Sequence, residues 1–398
     1  MKTSTQRRNA TLVLLVIGLA ALVFLLEDSG PEQTPAAKEP SAVTDAAPAN
    51  TTPAPDNRVA TVHELLANAA RQGASGVLRI SINDEVLVET GFGSAACERD
   101  EPVTPRHLFM IGSITKELTQ VLAFVLEERG VFSLDDSVGD LLQEFDGPIG
   151  QVTLRQLIHH TGGVPDLIDA DGQPVPYSID YDYEHIDRDE MLRRAALAQL
   201  QSAPGEVEEY SNLGFQLLAA IFEVRTGERY PDLLRRYIYG PAGMTDTDFW
   251  FRDRKRRLYA EGCLKGGSRW GNPIADSRWD PEGPSWNLMG AGGLLSTADS
   301  LSRFFSGIRD GVYFQTRAQF EAYKASRLAF SKRLQQRIMG PAGSNGIFWA
   351  VAYWAEDIDF NAVLMTNRAD HPAEGDLFRD VVLTFTPESL GIQSQQAQ

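Results

Sequence analysis

Strand-forming segments stand near both ends of the folded part of this 398-residue chain, and helical patterns fill the interval between them. Gly76–Ile82 and Glu85–Gly91 flank Asn83-Asp84, the pattern of a hairpin. Asn345–Tyr353 and Phe360–Thr366 read as two more strands, followed by a helix near Gly375–Leu383. Strands from the two ends must meet to bury their apolar faces. The order therefore predicts an α/β fold: one antiparallel sheet assembled from both chain ends and flanked by helices. Further helices are expected near Thr61–Arg71, within Val152–Ile158, over 217–226 with Gly227 as the stop, and over Ala298–Ile308.

A different pattern precedes this domain. Residues 1–9 carry Lys2, Arg7 and Arg8, residues 10–26 are apolar apart from Thr11, and Glu27-Asp28 turn acidic. A basic flank before an apolar run reads as a transmembrane signal-anchor, with a cleaved signal peptide as the alternative. That reading makes the protein single-pass in the cell inner membrane, with a cytoplasmic tail at 1–9 and the rest on the periplasmic or extracellular side. Residues 27–58 are rich in Pro and Ala and too poor in apolar groups to bury anything, so a disordered linker is expected there. The folded domain is expected at 59–390, with a tail at 391–398. A net charge of −17 and no basic patch exclude a nucleic-acid partner.

The chemistry centres on Ser113-Ile114-Thr115-Lys116. Leu118, Val121, Leu122, Val125 and Leu126 continue at helical spacing to a stop at Gly130. Residues three apart share a helix face, so the Ser113 hydroxyl and Lys116 amine can touch. Serine becomes a nucleophile only with a base beside it, and a lysine serves when burial or charge lowers its pKa. So apolar a helix should bury Lys116 in part. Taken alone, the same four residues also describe a capping serine followed by a solvated lysine. Tyr210 and Asn212 stand two apart at a loop–helix junction and point the same way only if the backbone there is extended.

Other polar clusters lack a complete ligand pattern. His159 and His160 have no partner at metal-ligand spacing and read as turn residues. Asp169 and Asp171 before Gly172 lack the bidentate glutamate of a calcium loop. Neither a metal nor a cofactor is expected. Cys97 and Cys263 are far apart and read as two isolated buried thiols, with a disulfide as the alternative in an oxidising compartment.

From about Val59 to Leu390 the chain resembles the penicillin-recognising serine hydrolases, in the branch of class C β-lactamases, DD-peptidases and related esterases. The resemblance lies in an ordered series: Thr90-Gly91-Phe92-Gly93, Leu108 to Lys116, Leu134-Asp135-Asp136, His159-His160-Thr161-Gly162-Gly163, Pro204-Gly205 with Tyr210-Ser211-Asn212, Gly240 to Met244, and Gly290 to Thr297. It implies a β-lactamase-like sheet with an all-helical subdomain, and acyl transfer on an ester, amide or peptide bond of a small-molecule or peptide substrate. Ser113 would be the nucleophile and Lys116 and Tyr210 the shared base, the charged lysine lowering the phenol's pKa. Asn212 would orient the substrate, beside Gly343 and Ser344. The Ser113 N–H and an N–H near Ser344 would form the oxyanion hole.

One departure bears on the substrate. Pro341 stands where the family carries Lys or His, so the cation that would hold a substrate carboxylate is missing there. Arg333 or Arg337 are the replacements the sequence offers. The departure favours an esterase or amidase over a carboxylate-anchored reaction. The alternative is a catalytically silent module that binds a cell-wall or peptide ligand.

Overall fold

Both ends of the domain do meet in one sheet. The computed structural model describes residues 57–178, 181, 184–249, 257–263, 285–331, 336–368 and 373–385. Its strands are β1 (Gly76–Ile82), β2 (Glu85–Phe92), β3 (His107–Met110), β4 (Thr247–Asp248), β5 (Leu258–Tyr259), β6 (Leu295–Ser296), β7 (Ala329–Ser331), β8 (Gln336–Met339), β9 (Ala342–Ser344), β10 (Trp349–Ala355) and β11 (Phe360–Thr366). The main sheet runs β2-β1-β11-β10-β8-β7 with β9 also on β10, and every pairing is antiparallel. β1 joins β11 from Gly76 opposite Thr366 to Ile82 opposite Phe360, which closes the N-terminal hairpin onto the C-terminal one. The first hairpin turns at Asn83 and Asp84, both at positive φ, as a two-residue turn of this hand requires.

Helices cover both faces. Those that matter to the site and the sheet are α1 (Asn57–Arg71), α2 (Thr115–Glu128), α3 (Leu154–Ile158), α4 (Arg188–Leu197), α5 (Asn212–Thr226), α6 (Ala298–Arg309), α7 (Arg317–Arg327) and α8 (Ala373–Leu383). Side chains alternate across β11, so Phe360, Ala362 and Leu364 pack with α1 and α8, while Val363 and Met365 join the larger core with α2, α5 and α6. α3, α4 and α5 form the helical part against α2. Caps mark where these helices begin: Thr153, Asp187, Ser211 and Thr297 each accept a backbone N–H of the first turn.

Three sequence expectations need correction. First, β10 begins at Trp349 rather than near Asn345, because Asn345 Oδ1 accepts the N–H groups of Ile347 and Phe348 and closes a turn instead. Second, residues 10–26, on which the membrane anchor rested, and residues 27–56 of the expected linker at 27–58 lie outside the described residues, while its last two residues, Asn57 and Arg58, open α1. Among the described residues no helix is long and apolar enough to cross a membrane. The longest helices, α1 and α5, have 15 residues each, where a span needs about 20. The single-pass localisation read from the apolar run is therefore withdrawn. Third, Cys97 and Cys263 form a disulfide. Long-range bonds bring them together: the Cys97 N–H donates to Glu261 Oε2, Glu261 N–H to Ala95 O, and Cys263 N–H to Asn367 O.

The bridge spans 166 residues of sequence, and a loop of that length loses much entropy when closed in the unfolded chain. Replacing both cysteines by serine should cost about 2–4 kcal/mol. A urea midpoint unchanged from the wild type would show that the bridge carries no stability.

Candidate active site

Ser113 sits where β3 hands over to α2. After Met110 the chain makes a 3₁₀ turn over Gly112–Ile114 and enters α2 at Thr115. Gly112 has φ +50, and a Cβ there would fall 2.6 Å from Ser344 N. A Cβ on Gly343 would fall 2.1 Å from Ile111 O. Two glycines thus let the Gly343-Ser344 edge of β9 pack directly against the backbone of the Ser113 turn.

Lys116 follows on the first turn of α2 and is only 4% exposed. Its Nζ donates to Ser113 Oγ at 3.2 Å, Asn212 Oδ1 at 2.7 Å and Ala291 O at 2.7 Å. These three acceptors match the three donors of an ammonium. The same nitrogen lies 4.8 Å from the centroid of the Tyr210 ring and 5.6 Å from that of Phe215. The burial expected of this lysine is met.

Tyr210 and Asn212 reach the same point from the helical side. Ser211 between them is extended, at φ −142 and ψ 119, which is the condition for both to face one way. The Tyr210 hydroxyl lies 2.6 Å from Ser113 Oγ and 3.4 Å from Asn212 Oδ1. Although 37% of the residue is open to solvent, its hydroxyl end is turned into the site. Burial pushes the phenol pKa above its ordinary value, opposed by the bond to Ser113 and assisted by Asp166. The net direction is upward, against the lowering expected from Lys116, with desolvation of the phenolate the largest cause.

Asn212 uses both ends of its amide inside the protein. Oδ1 faces Lys116, and Nδ2 donates to Asp166 Oδ1 at 2.7 Å. Only one orientation of the amide satisfies both neighbours. Sequence reasoning missed Asp166, noting it only as the edge of an acidic insertion. Its carboxyl is held above the usual range by burial, against the hydrogen bonds from Asn212 and the charge of Lys116.

His160 is structural, as expected of a turn residue. At φ +57 its ring lies 4.8 Å from that of Tyr210, and Nδ1 accepts the Ser211 N–H at 3.1 Å. Burial first, and then the charges of Lys116 and Arg327, push its pKa down to about 3. Asp169 Oδ1 accepts the N–H groups of Asp171 and Gln173 in a local turn.

These groups open into a cavity of about 450 Å³ whose wall includes Met110, Leu167, Tyr177, Leu288 and Trp349, with Gly343 and Ser344 on one side. Pro341 lines it too, as does Arg327, which the sequence reading did not single out. Arg327 makes a two-pronged ion pair with Glu117, whose side chain is buried. Arg337 is not a replacement for the missing cation, since it pairs with Glu356 and is absent from the cavity wall. Arg333 lies outside the described residues.

A family model described as Beta-lactamase matches residues 59–383. Penicillin-binding protein 4* of Bacillus subtilis is 31% identical over 190 residues, covering 47% of this chain and 40% of that protein. Esterase EstB of Burkholderia gladioli is 31% identical over 188 residues, 45% of this chain and 48% of the esterase. The chain spans about half the length of the curated relatives it matches. The solved D-amino acid amidase of Ochrobactrum anthropi SV3 in complex with L-phenylalanine superposes with a TM-score of 0.66, covering 82% of this chain and 98% of the amidase at 21% identity. At that identity the likeness is one of fold.

A histidine whose folded pKa lies below its unfolded value of about 6.5 destabilises the fold as pH falls through that window, because the unfolded chain takes up the proton first. His160→Gln should therefore flatten the loss of stability between about pH 6 and pH 4. In NMR spectra the wild-type His160 ring should keep neutral-imidazole shifts at pH 5. A protonated ring at that pH would overturn the assignment.

Proposed function

The chain belongs to the beta-lactamase family, and from that premise we propose that it is a serine hydrolase cleaving an ester or amide bond through an acyl-enzyme on Ser113. The observation that carries this reading is that Ser113 Oγ lies within hydrogen-bond reach of both the Lys116 ammonium and the Tyr210 hydroxyl. A buried lysine and a phenol both within reach of one serine hydroxyl are the groups an activated nucleophile requires.

In this mechanism Ser113 Oγ attacks the substrate carbonyl carbon. Its proton moves to the Tyr210 oxygen as the Tyr210 proton moves to the leaving oxygen or nitrogen, and the C–O or C–N bond breaks. Lys116 stays charged beside the pair and stabilises negative charge on either oxygen during the exchange. Water then attacks the acyl-enzyme by the same route reversed, releasing the acid and restoring the serine. The Ser113 and Ser344 N–H groups would receive the oxyanion, a role supported by the close approach of the two backbones at Gly112 and Gly343. Asn212 holds Lys116 in place rather than meeting substrate with a free amide.

Charge balance speaks for the substrate class. Arg327 faces Glu117, and Lys116 has its acceptors with Asp166 behind Asn212. Pro341 adds no charge. Among the described residues the wall therefore offers a substrate carboxylate no unpaired cation, and the rest of it is largely apolar. This favours a neutral ester or amide with an apolar acyl or leaving group.

Intact-mass measurement after treatment with a fluorophosphonate should show one adduct, absent from Ser113→Ala. No wild-type adduct would sink the hydrolase reading. Lys116→Met should lower kcat for p-nitrophenyl acetate by about 10²–10⁴-fold, the usual range for losing acid–base assistance. Benzylpenicillin, which carries a carboxylate, should acylate Ser113 much more slowly than a neutral activated ester of similar size. Equal rates would refute the neutral-substrate class while leaving the nucleophile intact.

A further inference from the structure

We propose that Asp166 is a positioning residue of this site: it fixes the Asn212 amide so that Oδ1, and not Nδ2, faces Lys116. The inference rests on the hydrolase reading above and extends it to a residue that lines the same cavity and acts through Asn212.

One oxygen of Asp166 does two tasks. Oδ1 accepts the Asn212 backbone N–H at 2.9 Å and the Asn212 side-chain Nδ2 at 2.7 Å. The Asp166 carbonyl accepts the Leu213 N–H at 3.0 Å. The backbone contacts cap α5 from another loop, complementing Ser211 Oγ, which takes the Gly214 N–H at 2.9 Å. A cap alone needs no contact with the side chain of Asn212. The third bond, to Nδ2, is the one that orients the amide.

The orientation matters because an amide has an acceptor end and a donor end of the same shape. With Nδ2 turned toward Lys116, two donors would face each other and the ammonium would keep only Ser113 Oγ and Ala291 O among its three acceptors. Lys116 would then shift toward Ser113 or out of line with Tyr210, and the proton route would lose its alignment. A carboxylate at 166 can only accept while ionised, so it excludes the flipped amide by leaving Nδ2 as the one partner that fits. Asp166 is 46 residues from Asn212 in sequence, on the loop that follows His160.

A double-mutant cycle tests this. Asp166→Ala should lower kcat for p-nitrophenyl acetate about tenfold or more with KM changed less than about threefold, whereas in an Asn212→Ala background the same change should have little further effect. Asp166→Asn, which keeps an oxygen for the helix N–H groups, should retain more of kcat than the alanine variant, and it carries the same cycle if the alanine variant does not fold. Additive losses in the two backgrounds, or a full kcat in Asp166→Ala, would overturn the proposal and leave the hydrolase reading standing. A readout free of turnover separates the two ideas. The Asn212 side-chain amide resonances should move in the Asp166→Asn variant, and unchanged resonances would refute the positioning role even in a protein that hydrolyses nothing.

Discussion

A buried ammonium governs the layout of this molecule. Lys116 is removed from water inside a helix whose other buried residues are mostly apolar, and such a charge is tolerated only when its donors are matched. Its partners come from three separate parts of the chain: the Ser113 turn, the start of α5 and the glycine-rich loop at Ala291. Thr119, one turn further along α2, holds the neighbouring Gly290 carbonyl and the Tyr230 hydroxyl. The helix thus gathers the loop and the helical part around one charge. Removing one hydrogen-bond partner of a buried charge typically costs about 1.5–3 kcal/mol, which favours one fixed arrangement.

That rigidity reaches the sheet through backbone contact. The Ser113 turn is pinned on one side by the Ile111 N–H to Leu294 O bond and on the other by the close approach of β9. β8 and β9 follow one register against β10, with Met339 opposite Trp354 and Ala342 opposite Val351. Pro341 stands between them, accepting the Ala352 N–H through its carbonyl and returning none. β7 pairs with β8 only as far as Ile338, so beyond that point the strand is an edge, where proline is tolerated.

What the sequence made legible was whatever repeats locally. The hairpin at Asn83-Asp84, the apolar stripe of α2 and the Gly227 stop each follow from residues a few positions apart. Pairings across long stretches leave no such trace. Asp166 with Asn212, Cys97 with Cys263, and Arg327 with Glu117 (210 residues apart) are made by the fold and by nothing periodic. The sign of the Tyr210 shift was misread for a related reason. A nearby charge can be inferred from spacing, while the depth of burial that outweighs it cannot. The apolar run at 10–26 misled in the opposite sense, being a strong local pattern taken as a localisation.

The same logic limits what the cavity can bind. Arg327 is a cation of the cavity wall that a carboxylate-bearing ligand would seek. A ligand that drew the guanidinium away from Glu117, whose carboxylate is itself buried, would break that pair. Breaking such a pair costs about 3–5 kcal/mol, because one charge is left without a partner. A hydrogen bond to a charged group returns about 1.5–3 kcal/mol. The exchange is unfavourable unless the ligand neutralises Glu117 as well. Under the hydrolase proposal, this salt bridge weighs against carboxylate-bearing ligands that must displace it, and the apolar wall favours neutral ones.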